Sequence, residues 1–264
     1  MTRLQVDANF TMNVEQQGQG PAVLLLHGYC GSSKYWEAIM PMLAQNYRVI
    51  APDLRGHAKS DSPVGAYTIE QMADDVLALA DKLELSQFVL LGHSLGGYIT
   101  LSFAQRYSSR LHGFGLIHST SLPDTEEGKQ NRLAVVEKLR SQGIVPVVDG
   151  LIPKLFAPQH LEEHALQVSR AKEIGYCTPP QGAAGAALAM RERPDRTSVL
   201  QATDLPVLLA AGEHDQIVTA DKAFTASGDN ISQVTIEKAG HMSMMETPAT
   251  LADALHTYLA NVFQ

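Results

Sequence analysis

Phe88-Val-Leu-Leu-Gly92-His93-Ser94-Leu95-Gly96-Gly97 begins as an uninterrupted apolar run, ends in a glycine-flanked serine and leads directly into a helical pattern over 98–106. A short apolar run without polar alternation reads as a strand covered on both faces. Glycines two before and two after Ser94 remove the Cβ atoms that would keep strand and helix backbones apart. The G-x-S-x-G turn then holds its serine in a strained conformation, with Oγ presented at the carboxyl edge of a sheet. The bare motif is common, so the sequence around it has to supply the context.

Working outward, similar apolar runs recur at 22–26, 48–51, 114–117 and 207–211, separated by helix-length segments. The segment 68–83 opens on a capping Thr68 and places Ile69, Met72, Val76, Leu79 and Leu83 on one helical face. Strand and helix in alternation imply a parallel sheet with right-handed crossovers, hence a mostly parallel, doubly wound α/β fold. The opening segment 4–16 alternates weakly and reads as an antiparallel edge hairpin. After Ser119 the rhythm stops. Residues 120–200 contain no buried-strand run, only helical patterns such as 127–141 and 160–172 interrupted by Pro146, Pro153, Pro158, Pro179 and Pro180. That interval is too long for an ordinary connection. The expected organisation is a core of residues 1–119 and 201–264, interrupted by a helical cap over 120–200.

A serine hydroxyl is a weak nucleophile near neutral pH. It needs a general base, and the base needs an acid to hold its tautomer. Behind the elbow, the run 207–211 leads into Gly212-Glu213-His214-Asp215, and 234–237 leads into Ala239-Gly240-His241. Asp215 and His241 therefore stand in loops at strand carboxyl ends, in the order serine, acid, histidine. An oxyanion needs two backbone N–H donors. The residue after the nucleophile, Leu95, supplies one at a helix N-terminus, and the Tyr29 amide in His27-Gly28-Tyr29-Cys30-Gly31 is the candidate for the other.

On these pieces the chain resembles the α/β-hydrolase superfamily, in its capped esterase and lactonase-like branch. HGYCGSS at 27–33, PDLRGHAKSD at 52–61, GHSLGG at 92–97, GEHD at 212–215 and AGHMSMMETP at 239–248 carry the resemblance over nearly the whole chain. It implies a triad of Ser94, Asp215 and His241, oxyanion amides from Tyr29 and Leu95, and the helical insertion as a cap. Dehalogenase and epoxide-hydrolase relatives carry aspartate at the elbow, so Ser94 argues against both of those activities.

Other residues invite chemistry and have plainer readings. His160-Leu-Glu-Glu-His164 matches a zinc-peptidase pattern but lacks a third ligand, and reads as a solvated helix face. Asp53 and Arg55 read as turn structure, and Glu246-Thr247 before Pro248 as the cap of the last helix. His118 ends the run 114–117, whose carboxyl edge faces the site, so its plainer reading as the end of a buried strand stands ahead of a supporting role, and His93 and Cys30 read as packing residues. Leu151, Ile152, Leu155 and Phe156 read as the core of the cap, or as the roof of an acyl pocket.

Composition narrows the partners. Twenty Lys and Arg against 28 Asp and Glu leave a net charge of −8, which argues against binding that relies on neutralising phosphates. Cys30 and Cys177 are too few for a disulfide framework, and no run reaches the roughly 18 apolar residues of a membrane span. A cytoplasmic protein is expected. Neither a P-loop nor a G-x-G-x-x-G after a strand appears, so no cofactor and no metal is expected. The expected function is a serine hydrolase that cleaves small to medium carboxylic esters with water as co-substrate. A lactonase or C–C bond hydrolase would use the same triad, and a small-molecule receptor on the same fold is the rival of another class.

Overall fold

Successive side chains of a strand point to opposite faces, so the apolar runs at 22–26 and 88–91 demand a cover on each side. The computed structural model, which describes residues 2–264, meets that demand. Val23, Leu25, Val89 and Leu91 are buried in one core, while Leu24, Leu26, Phe88 and Leu90 are buried in another on the opposite face. At about 1.5–3 kcal/mol for each large apolar side chain, these two layers dominate the stabilisation of the fold.

The strands are β1 (Thr2–Asp7), β2 (Phe10–Gln17), β3 (Ala22–Leu26), β4 (Arg48–Pro52), β5 (Phe88–His93), β6 (Leu111–Ile117), β7 (Val207–Gly212) and β8 (Ile231–Ile236). They form one sheet in the order β1-β2-β4-β3-β5-β6-β7-β8. The β1–β2 and β2–β4 pairs are antiparallel and all the others parallel, so the expected edge hairpin is present on an otherwise parallel sheet. Four adjacent parallel strands, β5 to β8, therefore send their carboxyl ends to one edge, and the residues that follow them meet there.

On one face lies the helix Ile69–Lys82, whose Thr68 hydroxyl accepts from Gln71 N–H at 3.0 Å and which buries Ile69, Met72, Val76 and Leu79. The opposite face is covered by the helix Pro248–Val262 through Leu251, Leu255 and Leu259, four residues apart. Between β6 and β7 the described residues form helices at Glu126–Gln142, Val145–Leu151, Ala165–Tyr176, Pro180–Arg191 and Thr197–Ala202, and no strand. No helix among the described residues is long and apolar enough to cross a membrane. Asp53 accepts from Ser33 N–H (2.8 Å), Asn13 Nδ2 (2.9 Å) and Lys59 N–H (3.2 Å), tying the turn after β4 together. Arg55 is buried in a two-pronged pair with Asp75 and lies 4.2 Å over the Phe10 ring.

The tightest steric constraint is where β5 turns into the helix Leu95–Tyr107. A Cβ on Gly92 would lie 2.2 Å from Gly96 O and 2.5 Å from Gly97 N, and one on Gly96 would lie 2.7 Å from Leu26 O. These obstacles are backbone and cannot swing away. Gly92→Ala is therefore expected to cost about 3 kcal/mol or more, or to prevent folding. Gly150, in the helix Val145–Leu151 with nothing within 4 Å of its notional Cβ, is the control. Gly150→Ala should leave stability unchanged or raise it by up to about 1 kcal/mol, as read from paired urea-unfolding curves.

Candidate active site

Ser94 stands between β5 and its helix at φ 51° and ψ −111°, a conformation that side chains other than glycine rarely adopt. The surrounding backbone fixes it there: Ser94 N–H donates to Ile117 O (3.0 Å), and Ser94 O accepts from Gly97 N–H and the Ser119 hydroxyl, both at 2.8 Å. Strain of this kind persists only where its surroundings over-determine it.

Asp215 follows β7, and its two oxygens have separate tasks. Oδ1 accepts from the backbone N–H groups of Ile217 (2.8 Å) and Val218 (3.0 Å), while Oδ2 accepts from His241 Nδ1–H at 2.7 Å. Burial alone would raise the Asp215 pKa, but His241 and His118 outweigh it and hold the carboxyl well below the usual carboxylate range. His241 sits beside the elbow: its carbonyl accepts from His93 Nε2–H at 2.9 Å, and the two rings are 5.0 Å apart between centroids. Among the described residues Ser94 Oγ has no hydrogen-bond partner. Contacts of that kind tighten once substrate is in place.

The loop that carries His241 is gripped by a residue whose expected role was different. Thr247 does occupy the N-cap position before Pro248, but its side chain caps nothing. Glu246 instead turns inward and accepts from three backbone amides, Gly240 (2.9 Å), Met242 (3.0 Å) and Ala157 (2.8 Å). Helix caps are legible as local patterns. A carboxylate that reaches residue 157 from residue 246 leaves no local trace in sequence. The second tie is His241 N–H to Leu155 O at 2.7 Å. Leu155, Ile152 and Phe156 are buried against the core, and Leu151 packs beside them.

Leu95 opens its helix, so its N–H has no acceptor one turn back. Tyr29 lies in a turn closed by Gly31 N–H to Gly28 O (3.1 Å), with Cys30 at φ 54°. Gly28 brings this turn against the elbow, because a Cβ there would lie 3.3 Å from Ser94 Cβ. The Tyr29 phenol donates to Ala183 O at 3.1 Å. Cys30 is buried and its thiol is pushed up to about 12 by that burial, which leaves it protonated and unreactive near neutral pH.

The His160–His164 pattern does not lie along a helix. Pro158–His160 is a short 3₁₀ turn and the next helix starts only at Ala165, so the expected helical face gives way to turns; the two rings are 6.1 Å apart. The metal-ligating atoms that do converge belong to His118, Asp215 and His241, all within 4.8 Å of one another. There, His241 Nδ1 is already committed to Asp215. That arrangement serves a base held by an acid, with the second ring nitrogen left to exchange a proton.

Residues 21–248 match the profile of the family described as alpha/beta hydrolase fold. The fold superposes with a TM-score of 0.95 on an esterase from Thermogutta terrifontis solved with malate bound, at 34% identity over 100% of both chains. The chain is 27% identical to 3-oxoadipate enol-lactonase 2 of Acinetobacter baylyi over 92% of this chain and 90% of that one. It is 30% identical to 2-(acetamidomethylene)succinate hydrolase of Mesorhizobium japonicum over 80% of this chain and 77% of that one. Some curated relatives are longer, and the chain spans 64% of one and 26% of another.

Two outcomes follow from the histidines and from Glu246. Burial lowers the pKa of His27, His57, His93 and His118, that of His57 to about 4. His27 Nε2 accepts from Leu54 N–H at 2.9 Å, which a charged ring could not do. Below the ordinary histidine value of about 6.5 the unfolded chain takes up protons that the folded chain refuses, so stability is full above that pH and lost as the pH falls. Between pH 7 and 5 the unfolding free energy should drop by roughly 2 kcal/mol on account of His57 alone, with His27, His93 and His118 adding in the same direction. A flat urea midpoint over that range would show that these rings are charged in the fold. Glu246→Ala should cost about 3 kcal/mol in the same assay and lower kcat, because three amides lose their acceptor and the His241 loop is released.

Proposed function

The chain belongs to the alpha/beta hydrolase fold family, and on that premise we propose that it is a serine hydrolase of carboxylic esters of small to medium size. The observation that carries this is the buried Asp215–His241 pair at 2.7 Å beside the strained elbow of Ser94. In this scheme Ser94 Oγ attacks the carbonyl carbon while its proton passes to His241 Nε2. Asp215 orients the ring and balances the imidazolium. The Tyr29 and Leu95 N–H groups hold the oxyanion, each such donor being worth about 3 kcal/mol in the transition state. His241 returns the proton to the leaving alkoxide, then deprotonates a water that releases the acid from acyl-Ser94. No step calls for a cofactor.

The helices of residues 120–200 are proposed as the cap of this site. The hydrogen bonds from His241 N–H to Leu155 O and from the Tyr29 phenol to Ala183 O support that placement, because they tie both proposed catalytic loops to the insertion. The free thiols of Cys30 and Cys177 suit a reducing compartment such as the cytoplasm. A lactonase is the second reading, favoured by the similarity to an enol-lactonase over 92% of this chain. A cyclic ester presents the same carbonyl to the same nucleophile.

Ser94→Ala should lower kcat/KM for p-nitrophenyl acetate by about 10⁴-fold or more without changing the unfolding curve, and should abolish labelling by a fluorophosphonate. Parent-level turnover by that variant would refute the assignment. Sustained multiple turnovers separate the enzyme from a receptor with a vestigial triad. Rates on an aliphatic ester series beside the corresponding lactones decide between the two hydrolase readings.

A further inference from the structure

Of the three imidazoles that crowd the carboxyl ends of β5 to β8, His93 braces the His241 carbonyl and His241 is the proposed base. His118 has no assigned task. It follows β6 at φ 49°, is fully buried, and lies with its Nε2 2.6 Å from Ser243 Oγ. Its Nδ1 has no hydrogen-bond partner and faces Asp215 Oδ2 at 3.4 Å, the same oxygen that His241 holds at 2.7 Å. A buried ring nitrogen aimed at a carboxylate needs a proton to donate. A neutral imidazole has only one, so Nε2 must then accept, and the Ser243 hydroxyl is there to donate.

We propose, on the esterase reading of the site, that His118 is a positioning residue for the Asp215 carboxylate: its Nδ1–H donates to Oδ2 while its Nε2 accepts from Ser243 Oγ–H. Burial keeps the ring neutral against the pull of Asp215, as this tautomer requires. Ser243, His118, Asp215 and His241 then form a chain of hydrogen bonds that ties the ends of β6 and β7 to the loop after β8. The charged and titratable groups that face His118 are Asp215 after β7, His241 and Glu246 after β8, and His93 on β5, whose ring lies 6.0 Å away. Two N–H donors divide the charge of one carboxylate oxygen. Without the His118 donor the whole of that charge acts on His241, the imidazolium is held more firmly, and the base is freed only at higher pH.

The test compares His118→Phe, His118→Asn and Ser243→Ala in full pH profiles of kcat and KM on p-nitrophenyl acetate, beside Ser94→Ala. His118→Phe keeps the bulk and removes both ring nitrogens. It should lower kcat about 30-fold with KM within about threefold, and move the acid limb of kcat/KM up by about half a unit or more. Asparagine can place an N–H where Nδ1 stood, so His118→Asn should recover kcat to within about fivefold of the parent and restore the limb. Ser243→Ala releases the Nε2 side and should shift the limb the same way by a smaller amount. If the phenylalanine variant does not fold, Asn and Ser243→Ala carry the test. An unmoved acid limb in Ser243→Ala together with either an unmoved limb in His118→Phe or no rescue by asparagine overturns the inference. Should those results come with a dead Ser94→Ala, the esterase reading survives alone; should Ser94→Ala remain active, that reading itself is lost.

Discussion

A serine at φ 51° exists in this chain only because a strand and a helix pass each other with no side chain between them. Gly92 and Gly96 make that passage, and the β5 backbone lies against Gly96 and Gly97 closely enough to exclude a single methyl group. Everything else in the site is referred to that crossing. The amide of Leu95, proposed as an oxyanion donor, is the first of the helix it creates, and the turn bearing Tyr29 rests on Ser94 through Gly28. The parallel order β5-β6-β7-β8 sets how far the remaining side chains must reach. Without the crossing the strand ends would still be neighbours, but no strained serine would stand above them.

Electrostatics makes the second demand. One carboxylate lies among His241, His118 and His93, and burial on this scale ordinarily favours neutral groups. Here the acid remains ionised because two imidazoles and two backbone amides point at it, while His118 and His93 give up their own charge to burial. Asp215 is thus held by the ring of His241 and the amides of Ile217 and Val218, with the His118 ring facing it, while His93 is turned to the His241 carbonyl. The arrangement costs stability in acid, where the buried rings must refuse protons that the unfolded chain accepts.

Much of this was legible in the amino-acid sequence, because the features concerned are local. Apolar runs gave the central strands, a capping Thr68 gave the start of a helix, and the elbow, GEHD and AGH each lie at the end of a strand in one continuous stretch. What could not be read lies at long range. Glu246 reads as a helix cap by its neighbours, yet its carboxylate serves amides at 157, 240 and 242. His118 reads as the end of a strand, and only the β6–β7 pairing brings it to Asp215. The helix expected over 160–172 starts only at Ala165 for a related reason, since the histidine spacing at 160 and 164 suits one helical turn and nothing in it reveals that the chain is still turning there.

The anchorage of the His241 loop on Leu155 and Ala157 also bears on how this architecture can diversify. An inserted segment is commonly pictured as an interchangeable module that lines a pocket and leaves the reaction centre alone. In this chain the segment between β6 and β7 supplies a carbonyl to His241 N–H and an amide to the Glu246 carboxylate, so part of the frame of the proposed base is encoded some eighty residues upstream of it. Exchange of the whole segment would carry away that frame, together with the contact of His160 with Lys238 O just beyond it. The strip 155–157 is therefore where the segment's backbone is bonded to the loop of His241 and to the Glu246 carboxylate that grips it.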